Sequence, residues 1–289
     1  MPDPAARDAA EEASAFSHPA VAPDASAAYG AHPDQVVDFY APRDGRSSAP
    51  LVVALHGGAW RAPYDRQHLT PFVDFLARRG FAVASVEYRR GSDIPRQGGA
   101  APVAGRWPET FDDVAAALDA VPDLAAAHLP QADPRRIVLT GHSAGGHLAL
   151  WAAARHVLPA GSPWRLAGPP ALRGVVALAP IAHFDSAVEL GVCGGAVAEL
   201  LGGEKEFATR AAMADPALLL PTGIATTVVQ GREDIVVPPD VAEAYVEAAA
   251  KAGETVGFTL LEDIGHFPLI DPAADACAVV AEEIAQLAW

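Results

Sequence analysis

At 289 residues the chain is long enough to bury a large core, as one α/β domain or two small ones. Its 51% hydrophobic and 19% charged residues exclude an intrinsically disordered chain overall. The formal net charge of −16, from 20 basic and 36 acidic residues, leaves no basic stripe to neutralise phosphates, so no nucleic-acid partner is expected, and acidic substrates are repelled at long range unless a local arginine intervenes.

Residues 1–34 are rich in Ala, Pro, Asp and Ser and read as an N-terminal arm, mobile or carrying a short helix over Ala5–Ala15 that lies on the domain. Gln35–Tyr40 alternates like a strand and ends at Pro42, and Leu51–Leu55 is a continuous apolar run of the buried-strand type. Gln67–Arg79 has helical periodicity, closed by Gly80, and Phe81–Val86 is the next strand. Ser92–Gly105 lacks periodicity and reads as a loop. Pro108–Leu129 reads as a helix interrupted near Pro122. Ile137–Thr140 is a strand, a glycine-rich turn follows, and Leu148–Ala154 is helical. Val175–Ala179 is another buried strand. Residues 181–224 are irregular apart from short helical pieces such as Ala196–Leu201, and read as a small cap insertion. Thr226–Gln230, Asp240–Ala252, Val256–Leu261 and Pro272–Leu287 then alternate strand, helix, strand, helix. Such alternation implies a mostly parallel twisted sheet with helices on both faces, a single α/β domain over 35–289.

The two cysteines, Cys193 and Cys277, are far apart and read as structural thiols of a reducing compartment. The ten histidines form no H-E-x-x-H or Cys/His spacing, so neither metal nor other cofactor is expected. There is no basic region followed by an apolar core at the N-terminus and no uninterrupted apolar stretch of about 18 residues, so neither a secretory signal nor a membrane partner is expected, and the default location is cytoplasmic.

Chemistry concentrates at Gly141-His142-Ser143-Ala144-Gly145-Gly146. Alone, G-x-S-x-G is a weak signal, with a helix N-cap the competing role for Ser143 and a surface position that for His266; between a strand and a helix it is a sharp turn that lifts a serine hydroxyl clear of the backbone. A serine needs a base. Downstream, Asp234 lies just past a strand in the turn Asp234-Ile235-Val236-Val237-Pro238, and His266 just past the next, in Ile264-Gly265-His266-Phe267. Side chains at the carboxyl ends of parallel strands gather on one edge, so His266 is the expected base and acid and Asp234 its orienting carboxylate, with Glu233 as a rival one residue away. An Asx turn is the competing role for Asp234. Leu55-His56-Gly57-Gly58-Ala59-Trp60 also follows a strand, and its glycines let backbone N–H groups approach a substrate. The N–H groups of Gly58, Ala59 and Ala144 are the expected oxyanion donors. His56, His142 and His147 read as structural donors to loop backbones. Trp60, Tyr64, His183, Phe184 and Phe267 flank these loops and are candidates to line a substrate pocket, with core packing the competing reading for each.

These motifs resemble the α/β-hydrolase superfamily. His56-Gly57-Gly58-Ala59-Trp60, an H-G-G-x-W form, resembles the esterase/lipase group related to hormone-sensitive lipase and, more closely, the kynurenine formamidase (arylformamidase)-like branch. Further likenesses are Tyr29-Gly30 ahead of Val37–Pro42, Glu87-Tyr88-Arg89, Gly141–Leu148, and Ala214-Asp215-Pro216 before Leu220-Pro221. The resemblance spans residue 29 to the C-terminus. Two departures from the lipase-like pattern, Ala59 where many members carry glycine and the lack of Ala-Pro-Glu in Gly91–Trp107, favour the formamidase-like branch. The resemblance implies a serine hydrolase acting through an acyl-enzyme on a small carboxylic ester or aryl formamide. An acyltransferase or cyclase acting on one metabolite, or a non-catalytic small-molecule receptor on the same scaffold, are the alternatives. Small molecules are the expected partners, and a homodimer is left open.

Overall fold

The computed structural model describes residues 3–91 and 103–289. Eight strands form one sheet: β1 Ala25–Ala28, β2 Val36–Tyr40, β3 Ala49–Leu55, β4 Ala82–Val86, β5 Ala132–His142, β6 Gly174–Leu178, β7 Thr226–Gly231 and β8 Gly257–Leu261, in the order β1-β2-β4-β3-β5-β6-β7-β8. β1 and β2 run antiparallel to their neighbours and the other six are mutually parallel. This is the α/β-hydrolase fold.

Period-2 alternation of apolar residues sends each strand's side chains into two layers. Leu51, Val53 and Leu55 enter one core with Phe111, Leu148 and Trp151, while Val52 and Ala54 enter the other with Leu76, Val280 and Ile284. The first layer is covered by α3 Glu109–His128, α4 Ala144–Ala153 and α8 Pro239–Lys251, the second by α2 Thr70–Arg78 and α9 Asp275–Ala288. Because both faces are covered, the strands read as apolar runs rather than half-polar ones.

Four elements depart from expectation. The stretch 1–34 contains α1 Pro4–Ala15 and the edge strand β1, which the Ala/Ser composition of Ala25–Ala28 hid. Helix α3 runs through Pro122 without a break, because proline already holds a helical φ and removes only one hydrogen bond of the ladder. Within 181–224 the helices α5 Phe184–Glu189 and α7 Glu204–Ala214 accompany the expected α6 Ala196–Leu200. α5 is too short to show periodicity, and α7 buries only Ala211 and Ala214 fully. The expected loop over Ser92–Gly105 lies largely outside the described residues.

Six parallel strands place their carboxyl ends on one edge. The turns after β3, β5, β7 and β8 carry His56–Trp60, Ser143, Asp234 and His266 respectively.

Candidate active site

Ser143 sits between β5 and α4 with φ 57° and ψ −118°, a conformation that costs a non-glycine residue of order 1–3 kcal/mol. Packing holds it there. The Ser143 N–H donates to the Leu178 carbonyl of the neighbouring strand at 2.8 Å, and its own carbonyl accepts from His147 N–H at 3.1 Å. The flanking glycines are there for space. A Cβ on Gly141 would collide with the Gly145 carbonyl, and one on Gly145 with the carbonyls of Leu55 and His56. A Cβ on Gly57 would stand 2.8 Å from the His142 carbonyl and 3.3 Å from the Ser143 Cβ. The oxyanion-loop candidates and the serine turn therefore touch backbone to backbone.

Asp234 and His266 are buried and joined at 2.6 Å, Asp234 Oδ2 to His266 Nδ1. Asp234 Oδ1 accepts from the N–H groups of Val236 and Val237, both at 2.8 Å, and Oδ2 also accepts from Gln230 Nε2 at 3.2 Å. Every partner is a donor, so the carboxylate serves as an acceptor on both oxygens. His266 Nδ1–H then donates, which leaves Nε2 as the basic nitrogen. Glu233 is excluded from that role: it points outward and pairs with Arg7 at 3.4 Å.

Ser143 and His266 line one cavity of about 180 Å³ together with Gly58 and Ala59. Among the described contacts no hydrogen bond joins the Ser143 hydroxyl to the imidazole. Gly58 has φ 96° and Ala59 φ 51°, so the chain turns sharply beside the serine. None of the N–H groups of Gly58, Ala59 and Ala144 donates to a protein acceptor among the described hydrogen bonds, and Ala144 heads a helix, where first-turn donors are unpaired.

Three other histidines each hold a backbone carbonyl near this edge. His56 Nδ1–H donates to Gly57 O at 2.9 Å, His142 Nε2–H to His266 O at 3.0 Å, and His147 Nε2–H to Ala214 O at 2.9 Å. Burial, and then the neighbouring His266, push His142 well below the ordinary histidine range, so it stays neutral with its ring 4.3 Å from that of His266.

Of the five pocket candidates, Tyr64 and Phe267 line the cavity and three do not. Trp60 is fully buried, its indole edge-on to His147 at 5.1 Å. His183 caps α5, its Nδ1 accepting from Ser186 N–H at 3.2 Å. Phe184 is fully buried against His147, with its N–H donated to Asp215. For these three, core packing and capping win over substrate contact. Sequence reasoning missed Glu12, Phe16, Arg61, His68, Cys193 and Ile270 as cavity residues. Only α1 carried a usable signal, an Asp3-Pro4 start in which Asp3 Oδ1 accepts from Ala5 N–H.

No group of three or more His, Cys, Asp or Glu residues suited to a metal ion occurs among the described residues. Nor is any helix among them long and apolar enough to cross a membrane. Both cysteines are free thiols.

A family model described as BD-FAE matches residues 37–248. A probable isoprenylcysteine alpha-carbonyl methylesterase of Oryza sativa subsp. japonica is 32% identical over 124 residues, 43% of this chain and 27% of the relative. A probable carboxylic ester hydrolase of Mycobacterium tuberculosis (strain ATCC 25618 / H37Rv) is 34% identical over 108 residues, 37% of this chain and 22% of the relative. The chain thus matches about a quarter of the length of these curated relatives. Among solved structures, a truncated carbohydrate esterase from gut microbiota superposes with a TM-score of 0.73 at 20% identity, over 93% of this chain and 99% of that one, a likeness of fold.

Proposed function

This chain belongs to the BD-FAE family, and from that premise we propose that it is a serine hydrolase of small carboxylic esters, with Ser143 as nucleophile, His266 as base and acid, and Asp234 as the group that orients the imidazole. The observation that carries the reading is the buried 2.6 Å Asp234–His266 pair, which opens onto the same cavity as a strained serine and the backbone of Gly58 and Ala59.

The Ser143 hydroxyl turns toward His266 Nε2, gives up its proton, and attacks the acyl carbon. The carbonyl π pair moves onto oxygen, where the N–H groups of Gly58, Ala59 and Ala144 receive the charge. The C–O bond to the leaving alcohol breaks as His266 returns the proton to that oxygen. Water then repeats the sequence on the acyl-enzyme, with His266 again taking and returning one proton, and the carboxylic acid departs. Serine–histidine contacts are often loose without substrate and tighten in the complex, which is the rearrangement this sequence requires. Oxyanion donors of this kind contribute on the order of 3 kcal/mol each to the barrier.

The names of the relatives, a methylesterase and a carboxylic ester hydrolase, support the ester reading. A finer reading, aryl formamide hydrolysis, draws support from the aromatic rings of Phe16, Tyr64 and Phe267 around the cavity. The deciding experiment is labelling with a fluorophosphonate probe, followed by kcat/KM on p-nitrophenyl butyrate and on N-formylkynurenine. Labelling abolished by Ser143→Ala is expected. Absent labelling, or labelling that survives that substitution, overturns the proposal.

A further inference from the structure

The cavity beside Ser143 is closed in part by α1, which bonds to Gly265 across 254 residues of chain. Three contacts from the helix, and a fourth from His18 just past its end, tie it to the turn that carries Asp234 and to the segment Gly265–Asp271 around His266. Glu11 Oε1 accepts from Gly265 N–H at 3.2 Å, one residue before His266. The Ser14 hydroxyl donates to Asp271 Oδ2 at 2.6 Å, and His18 Nε2 lies 2.7 Å from Asp271 Oδ1. Arg7 pairs with Glu233 at 3.4 Å. At the end of the helix the Phe16 ring stands edge-on to Phe267 at 5.5 Å and to His68 at 5.6 Å.

We infer that α1 supplies the substrate-selecting wall of this site, with the Glu12 carboxylate rejecting anionic substrates and the Phe16 ring forming an aromatic side of the binding cavity. This rests on the ester-hydrolase reading above. Glu12 and Phe16 both line the cavity with Ser143 and His266. Glu12 makes no side-chain hydrogen bond or ion pair among the described residues, so its charge acts on whatever enters. The one cation among the described lining residues, Arg61, donates to the Cys193 carbonyl at 2.9 Å and faces Glu199 at 3.8 Å, so its charge is answered within the protein. His68 adds no positive charge, since burial, and then His56, push it down to about 3. The carboxylates of Asp8 and Glu11 on the same helix stand near the His266 turn and carry the same sign as Glu12.

Volume narrows the substrate further. At about 180 Å³ the cavity matches apolar cavities of roughly 150 Å³ that take up benzene. The enclosed portion of the substrate is therefore a short acyl chain or one small ring, neutral or cationic, with any bulkier portion outside.

Two ester pairs test this on the full chain. One places the charge in the acyl group, p-nitrophenyl hemisuccinate against p-nitrophenyl butyrate. The other places it in the leaving group, acetylthiocholine against its neutral isostere 3,3-dimethylbutyl thioacetate. Glu12→Gln is expected to shift the charged-to-neutral kcat/KM ratio of at least one pair by about fivefold, up for the anion or down for the cation, with Glu12→Ala doing the same. Phe16→Ala is expected to raise KM for the butyrate about fivefold with kcat within twofold. Unchanged ratios in both pairs and an unchanged KM, with turnover still dependent on Ser143, overturn this inference alone. Turnover that survives Ser143→Ala overturns the ester-hydrolase reading and this inference with it.

Discussion

The imidazole of His56 bridges the Glu87 carboxylate and the glycine turn after β3: Nε2 lies 2.8 Å from Glu87 Oε1 while Nδ1 donates to the Gly57 carbonyl at 2.9 Å. Both nitrogens face acceptors, and the ring is stacked on Tyr88 at 4.2 Å. Holding the Gly57 carbonyl fixes the peptide that carries the Gly58 N–H. Burial alone would raise Glu87, but the facing His56 and Arg90, with the Arg66 N–H, bring it down to about 2, so it stays ionised throughout the neutral range. Glu87→Gln is expected to lower kcat about tenfold with KM moved less than twofold, because the donors are misplaced and the cavity is intact. It is also expected to cost about 3 kcal/mol of stability, since Arg66 and Arg90 lose a buried partner. Active-site titration alongside steady-state kinetics separates the two effects: an unchanged kcat per active site overturns the positioning role.

Ser143→Ala is expected to reduce kcat on p-nitrophenyl butyrate by roughly 10⁴-fold or more, the loss typical of removing the nucleophile from such a constellation. Stability separates a second variant. Alanine keeps the penalty of φ 57°, whereas glycine does not, so Ser143→Gly is expected to be about 1 kcal/mol more stable than Ser143→Ala in urea denaturation. Equal stability would mean that the turn is not strained at this residue.

Gly145→Ala is expected to destabilise the protein by more than about 3 kcal/mol or to prevent its accumulation, because the new methyl would meet the backbone carbonyls of Leu55, the last residue of β3, and of His56 beside it, which cannot move aside cheaply. Gly161→Ala is the control. Nothing lies within 4 Å of its added Cβ, and the change is expected to fall within about 0.5 kcal/mol of the parent. Thermal unfolding of the two variants side by side checks the contrast.

The parallel sheet was legible because each central strand is a buried apolar run with a glycine or proline signal beside it, and the order Ser143, Asp234, His266 was legible because each follows such a run. The walls of the cavity were not. α1 reaches Gly265 and Asp271 through contacts that span more than 250 residues, and no local pattern encodes them. Trp60, His183 and Phe184 do not line the cavity for a related reason: nearness in sequence to a candidate loop says nothing of which way a side chain turns, and at Trp60 a backbone with φ 55° goes with an indole in the core. β1 was hidden because Ala25–Ala28 is an edge strand of small residues with no apolar run to reveal it.

The stability of the fold is expected to decline as pH falls from about 6.5 toward 4, and His147 is the residue on which to measure it. Its ring is enclosed by Trp60, Phe111 and Phe184, Nε2–H is committed to the Ala214 carbonyl, and Nδ1 is buried with no acceptor. A second proton has nothing to bond to there, and burial brings His147 down to about 4. Between that value and the ordinary 6.5 the unfolded chain binds a proton that the folded chain refuses, so stability rises with pH across the window and is lost on acidification. One such group accounts for about 3 kcal/mol at most. His142 and His68, also pushed down by burial, act with the same sign. Asp215 acts against them: burial raises it to about 7 despite its hydrogen bonds from Ala217 and Phe184, so it favours the folded state at low pH and opposes it as pH rises through the same window. Asp8 and Glu11, also raised by burial, act on the side of Asp215 upward from their ordinary values of 3.8 and 4.5, and the three histidines set against them leave the slope acid-labile toward pH 6.5. His147→Gln, whose amide can still donate to Ala214, is expected to flatten the slope of urea-derived stability between pH 6.5 and 5 by up to one proton's worth, and a slope identical to that of the parent would mean that His147 does not titrate between the two states.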